Sequence, residues 1–233
     1  MTQAAASQSI QLHFHGIQEH LLEVFKKLYL GVHYTTGADV EGDIAEFGTM
    51  SGMTARILSK GLLDLDVYGS VQKRLHLFDS FKGFPDTNTR VDVDSPHVKA
   101  GVWREGSCRG VSVDQLAAIC TQFVSRDRVE IYDGWFSETM PKIAAGTKFA
   151  LMHIDCDLYQ STIDVLDYAF EHGMVSEGAA IFFDDWNCNR ANPEFGERKA
   201  WEEMVAKYQI KWSDGGEYGW CGHKFYVHQY RAC

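Results

Sequence analysis

Short apolar runs recur along the chain, each ending at a glycine or an acid and most followed by a stretch of helical spacing. The runs at 43–47, 74–78, 128–132, 148–154 and 179–183 have strand length and strand composition. Helical patterns fill 52–60, 112–124, 160–172 and 197–208, the first stopped near Gly61 and the second capped by Ser112. Residues 210–212 and 224–229 read as late strands, the second alternating around Phe225 and Val227. Strands alternating with helices predict a mostly parallel α/β sheet, doubly wound with helices on both faces. No repeat or linker divides the chain, so residues 1–233 are expected to form a single domain.

Two segments fall outside this rhythm. Residues 1–9 read as a tail, followed by a helix over 10–30 whose apolar set is Ile17, Leu21, Val24, Phe25 and Leu28. That helix is expected to cover the site, pack beside the core or join two copies as a dimer. Residues 86–110 are rich in Asp, Thr and Gly and lack periodicity. The segment is too long for an ordinary connection and is read as a lid or acceptor loop.

Composition narrows the class. A length of 233 residues, 45% apolar and 23% charged, suits one soluble domain. A formal net charge of -10 without a basic stripe argues against nucleic acid as a partner. No apolar run approaches membrane-spanning length, so no membrane association is expected. The six cysteines show no C-x-x-C spacing and the first residues do not resemble a leader, so a cytoplasmic protein with free thiols is expected.

The candidate chemistry lies where strands end. His153-Ile154-Asp155-Cys156-Asp157 and Phe182-Phe183-Asp184-Asp185 each carry an apolar run into carboxylates, with a helical pattern between them. Neighbouring parallel strands deliver such acids to one sheet edge, where their oxygens suit a hard cation such as Mg or Ca. The flanking Cys156 and Cys188 are soft ligands and read as bystanders to such an ion. His153 shares a strand face with Asp155 and is either a core histidine or a proton acceptor. Asp157 either supports the ligands or starts the next helix.

Glu46-Phe47-Gly48-Thr49-Met50-Ser51-Gly52 joins the first strand to its helix. Gly48 permits a strained turn and Gly52 opens a helix whose N–H groups are free. The turn is neither G-x-G-x-x-G nor a P-loop. Asp79 ends the next strand, where an acid in nucleotide-binding domains receives ribose hydroxyls. So many carboxylates match a phosphate-rich cofactor poorly. S-adenosylmethionine has ribose and no phosphate.

These stretches resemble the class I methyltransferases, and more narrowly the macrocin O-methyltransferase family. The resemblance rests on Ala45-Glu46-Phe47-Gly48, Asp79-Ser80-Phe81-Lys82-Gly83-Phe84-Pro85, Gly134-Trp135-Phe136-Ser137-Glu138-Thr139-Met140-Pro141, Asp155-Cys156-Asp157-Leu158-Tyr159-Gln160-Ser161-Thr162 and Asp184-Asp185. It implies a Rossmann-like sheet with a final antiparallel strand and Mg-dependent methyl transfer from S-adenosylmethionine to a hydroxyl of a small molecule, such as a sugar or other secondary-metabolite group. It implies Asp155, Asp184 and Asp185 as metal ligands, and Glu46, Phe47, Gly48, Thr49, Gly52, Asp79 and Ser80 as the cofactor site, with Asp133 and Trp135 near the nucleoside. Asp155 or His153 would take the proton. A related catechol-methylating group has a lysine where this chain has Leu158, so a lysine base is not supported. Residues 186–196 and 86–110 depart from the pattern, which leaves the acceptor open; a vicinal diol is the expected type. A metal-dependent hydrolase, a nicotinamide oxidoreductase and a non-catalytic binding protein are the competing readings.

Overall fold

A computed structural model describes residues 3–66 and 72–232, with side chains from Gln18 onward. The five expected parallel strands are β1 (Asp43–Phe47), β2 (Leu75–Asp79), β3 (Val129–Asp133), β4 (Phe149–Ile154) and β5 (Val175–Phe183). Two further strands, β6 (Lys211–Tyr218) and β7 (Gly222–Gln229), form a hairpin whose β7 pairs antiparallel with β5. The sheet order is β3-β2-β1-β4-β5-β7-β6. The strand order therefore reverses between the parallel β1 and β4, and a crevice opens there at the C-terminal ends of the strands.

Among the described residues eight α-helices connect and flank these strands: α1 (Gln3–Gly37), α2 (Met53–Asp66), α3 (Arg90–Asp94), α4 (Pro96–Lys99), α5 (Val113–Cys120), α6 (Phe136–Thr139), α7 (Tyr159–Glu171) and α8 (Gly196–Tyr208). Ser112 caps α5 in a reciprocal capping box with Gln115. The alternation of β5 separates two cores. Phe183 joins Phe47, Phe149, Phe170 and Trp201 on one face, while Phe182 joins Leu28, Leu58, Leu62 and Leu77 on the other. Each such buried side chain contributes about 2–3 kcal/mol. Among the described residues no helix is long and apolar enough to cross a membrane.

Four expectations change. Helix α1 runs from Gln3 to Gly37, so residues 3–9 are helical and not a tail. Met1 and Thr2, and the side chain of Ile17, lie outside the description. The buried stripe of α1 is Val24, Leu28 and Val32, spaced by four, whereas Leu21 and Phe25 are 38% and 39% exposed. Strand β6 extends to Tyr218, which the sequence hid because its residues are mostly exposed and Asp214 to Gly216 interrupt the register. Among the described strands β7 runs against the parallel set, as the final antiparallel strand expected, while β6, antiparallel to β7, runs in the direction of β5. Finally, residues 86–110 are not all loop: they hold α3 and α4, and their Trp103 packs with Phe84 and Leu158.

Candidate functional site

Gly48 leaves β1 at φ 93°, and a Cβ there would lie 1.9 Å from the Asp155 carbonyl oxygen. Only glycine lets the turn after β1 touch the start of the acid segment after β4. Asp155 N–H donates to the Phe47 carbonyl and Gly48 N–H to the Phe78 carbonyl, both at 2.9 Å. Asp79 then knits the turn. Its Oδ2 accepts from Thr49 N at 2.8 Å, Thr49 Oγ1 at 3.1 Å and Met50 N at 3.1 Å, and its Oδ1 accepts from Phe81 N at 2.7 Å. The string after Asp79 is a second tight turn. Ser80 Oγ donates to the Gly83 carbonyl at 2.9 Å, and Gly83, at φ 82°, passes too close to the Ser107 carbonyl for any Cβ.

The ends of β4 and β5 hold the acids. Asp184 N–H donates to the Ile154 carbonyl at 2.9 Å, which sets the two acid segments side by side. Oxygens of Asp155, Asp157 and Asp185 all lie within 4.8 Å of one another. Asp184 stands apart from this trio, with Oδ1 3.8 Å from His153 Nε2. Glu197, from the first turn of α8, is buried and accepts from Asp185 N at 2.9 Å and Cys156 N at 3.4 Å, so it clamps both segments.

This packing of carboxylates is electrostatically costly. Burial, then repulsion from Asp184 and Asp185, holds the Asp155 carboxyl well above the usual range. Burial and the neighbouring Asp185 and Asp155 do the same to Asp157. Asp185 is pushed up to about 6 by burial and then by Asp184. Glu197 is raised by burial and Asp185. Asp184 is the exception: burial would raise it, but His153 holds it below the usual range. Part of each aspartate faces the cavity, yet the surrounding protein strips most of its water. Buried acids that cannot all ionise together are the donor set a divalent cation relieves.

His153 is fully buried, with Nδ1 3.0 Å from Glu46 Oε1. Burial alone would lower its pKa, but the Asp184 and Glu46 carboxylates override that and push it up to about 10. The ring lies behind the acids and does not line the cavity.

A cavity of about 470 Å³ joins the two halves, within the range of small-molecule sites. Of the sequence-derived residues, Gly48, Thr49, Asp79, Ser80, Trp135, Asp155, Asp184 and Asp185 line it. Glu46, Phe47, Gly52 and Asp133 do not. Glu46 is paired with His153 and Phe47 stacks on Phe78 in the core at 4.7 Å. Gly52 faces Leu116 and Ile119 of the α5 segment, and Asp133 is exposed at the end of β3 while Gly134 and Trp135 turn inward.

The family profile described as Macrocin-O-methyltransferase (TylF) matches residues 23–211, a span that includes every one of these elements except the C-terminal hairpin and the first turns of α1. The chain belongs to this family. It is 31% identical over 176 residues to mycinamicin III 3''-O-methyltransferase of Micromonospora griseorubida, covering 72% of this chain and 65% of that relative. It is 29% identical over 150 residues to 8-demethyl-8-(2,3-dimethoxy-alpha-L-rhamnosyl)-tetracenomycin-C 4'-O-methyltransferase of Streptomyces olivaceus, covering 63% of this chain and 54% of that relative. The match thus spans between half and two thirds of the curated relatives. The O-methyltransferase NovP shares the fold, with a TM-score of 0.71 at 23% identity over 88% of this chain and 79% of that one.

Two residues of the site, Glu197 and Asp92, escape a reading of the sequence, and a third, Asp157, is left there between two roles. Asp157 belongs to the compact acid trio, at a left-handed φ of 58° that places its carboxylate beside Asp185. Glu197 looks like an ordinary first-turn acid. Asp92 is buried in the 86–110 segment, and its carboxylate accepts from Tyr159 N at 2.8 Å and Gln160 N at 3.1 Å, capping α7 from a distance of 67 positions. Thr89-x-x-Asp92 is the local capping signal that marks it.

Proposed function

We propose that this protein is an O-methyltransferase that moves the methyl group of S-adenosylmethionine to a small-molecule hydroxyl, with a hard divalent cation at the acids. One observation carries the reading: in a chain of this family, the glycine turn and the acid group open onto one cavity and touch at Gly48 and Asp155. Gly48, Thr49, Asp79 and Ser80 would shape the cofactor side, with Trp135 against the nucleoside. Asp155 and Asp185 belong both to the sequence-derived set and to the compact trio and would hold the cation. Asp184, the carboxylate held ionised by His153, faces the same cavity and would complete the set. The trio geometry favours Asp157 as a second choice for that position. Bound there, Mg supplies chelation of two vicinal oxygens and a lowered hydroxyl pKa.

Asp155 is the residue we assign to take the proton, because it lines the cavity and meets the glycine turn at Gly48. His153, already protonated at neutral pH, would instead orient Asp184. Among the described residues the wall carries eight aspartates and neither lysine nor arginine. A phosphate-bearing acceptor would meet repulsion there, so a neutral or cationic diol is the preferred class. The relative from Streptomyces olivaceus is named for a rhamnosyl-bearing compound, and a sugar diol fits that description.

The test is methyl transfer to a panel of vicinal diols, read by mass, with chelator and with Mg restored. Transfer lost to chelator and recovered with Mg is the expected result. Undiminished transfer in chelator would remove the metal from the account, and absence of transfer together with no cofactor binding would remove the activity.

A further inference from the structure

Beside Asp185 two cysteines meet. Cys188 Sγ lies 3.3 Å from Cys221 Sγ and donates to Asp185 Oδ1 at 3.1 Å. Both thiols are free and buried. One atom from each of the three residues falls within 4.8 Å of the other two. The backbone fixes this meeting without help from sulfur. Cys188 N–H donates to the Asp185 carbonyl and Asn187 N–H to the Cys221 carbonyl, each at 2.9 Å, so the turn after β5 is tied to the β6–β7 hairpin. Phe84, Trp103 and Leu158 belong to the same buried cluster as the pair.

We propose that Cys188, Cys221 and Asp185 form a second cation site, for a thiophilic divalent ion of the zinc class, and that filling it withdraws Asp185 from the hard-cation group. The chemistry differs from that of the neighbouring acids. Two thiolates and one carboxylate with a fourth position left to water are a zinc-type donor set, whereas Mg avoids sulfur. The spacing is close to what such an ion needs. Zinc–thiolate bonds of about 2.3 Å in a tetrahedron put two sulfurs about 3.8 Å apart, so the pair must open by about 0.5 Å. Closing to a disulfide of about 2.05 Å requires a larger movement in the opposite direction. Binding forms two S–metal bonds and one O–metal bond and releases the two thiol protons to solvent, with no change in oxidation state. The two sites share the one Asp185 carboxylate, and two divalent ions held that close repel each other, so filling one disfavours the other.

The inhibitory half of this inference rests on the reading in the preceding subsection; the binding half does not. The test is a titration of the metal-free full chain with Co2+, a spectroscopic stand-in for zinc, followed by displacement with Zn2+. Wild type should show one equivalent of cobalt with a thiolate charge-transfer band that zinc abolishes. Cys188→Ser and Cys221→Ser should each lose the band and weaken zinc binding by roughly 100-fold, while calorimetry shows that they still bind S-adenosylmethionine as wild type does. Absence of the band in wild type, or its survival in either variant, overturns the site. So does an intact mass lower by two hydrogens after mild peroxide with no cobalt band, which would make the pair a disulfide. In the methyl-transfer assay zinc should inhibit wild type and spare the double variant. Equal inhibition of both overturns the regulatory half and leaves methyl transfer itself standing.

Discussion

The two halves of the cavity use the same residue type in opposite ways. At the ends of β1 and β2, Asp79 is saturated by four donors, three of them backbone N–H groups, and Asp92 likewise caps a helix. At the ends of β4 and β5, Asp155, Asp157, Asp185 and Glu197 repel one another, and all are held above their ordinary titration range. The first half is a shape made of satisfied hydrogen bonds. The second is stored charge, a set of carboxyls that cannot all ionise together without a partner. An acid at a strand end is therefore not by itself a sign of chemistry; whether its oxygens already have partners decides.

The contrast can be broken most severely at Asp155. Asp155→Asn should cut methyl transfer by about 10³-fold while calorimetric cofactor affinity stays unchanged; a comparable loss of cofactor binding would show that the halves are not separable. Asp184→Asn should cost more activity than Asp157→Asn, and the reverse order would make Asp157 the third ligand. Gly48→Ala tests the seam between the halves. Its Cβ would invade Asp155 and its φ of 93° disfavours a side chain, so a loss of about 3 kcal/mol is expected, or roughly 6–12 °C in Tm for a chain of this size.

Stability against pH sharpens the comparison further. Asp185 binds its proton more tightly folded than unfolded, since its value of about 6 exceeds the ordinary 3.8. Folding is thus favoured below about pH 4, and that stabilisation is lost as pH rises to about 6. His153, raised from 6.5 to about 10, adds stability that is complete below 6.5 and lost as pH rises through 10. Metal-free protein should therefore melt several degrees lower at pH 7 than at pH 5, and Mg should restore part of the difference at pH 7. A Tm that rises over that interval without metal would contradict the stored-charge description. The smallest effect belongs to the satisfied half. Asp92→Asn keeps one acceptor for the α7 N-terminus and should cost about 1 kcal/mol.

Much of this was legible in the chain itself. The strands and most helices follow from apolar period, and the family resemblance rests on strings whose geometry now has a reason. In Asp79-Ser80-Phe81-Lys82-Gly83 it is a double turn that only Gly83 can close, and in Asp155-Cys156-Asp157-Leu158-Tyr159 it is a left-handed Asp157 followed by a helix capped from elsewhere. What stayed hidden depends on contacts between distant segments. Glu197 reaches the acids from α8, Asp92 reaches α7 from the 86–110 segment, and His153 is identified as a cation only by seeing both Glu46 and Asp184 beside it. Strand β6 was missed beyond Trp212 because an exposed edge carries little apolar signal.

The central claim is that one cavity binds S-adenosylmethionine on its satisfied side and a cation on its charged side. A calorimetric titration of S-adenosylmethionine into wild type and Asp184→Asn, each with and without Mg, tests it most directly. The account predicts binding of similar affinity in all four experiments, with Mg contributing its own heat in wild type and much less in the variant. No binding to wild type in either condition would contradict it.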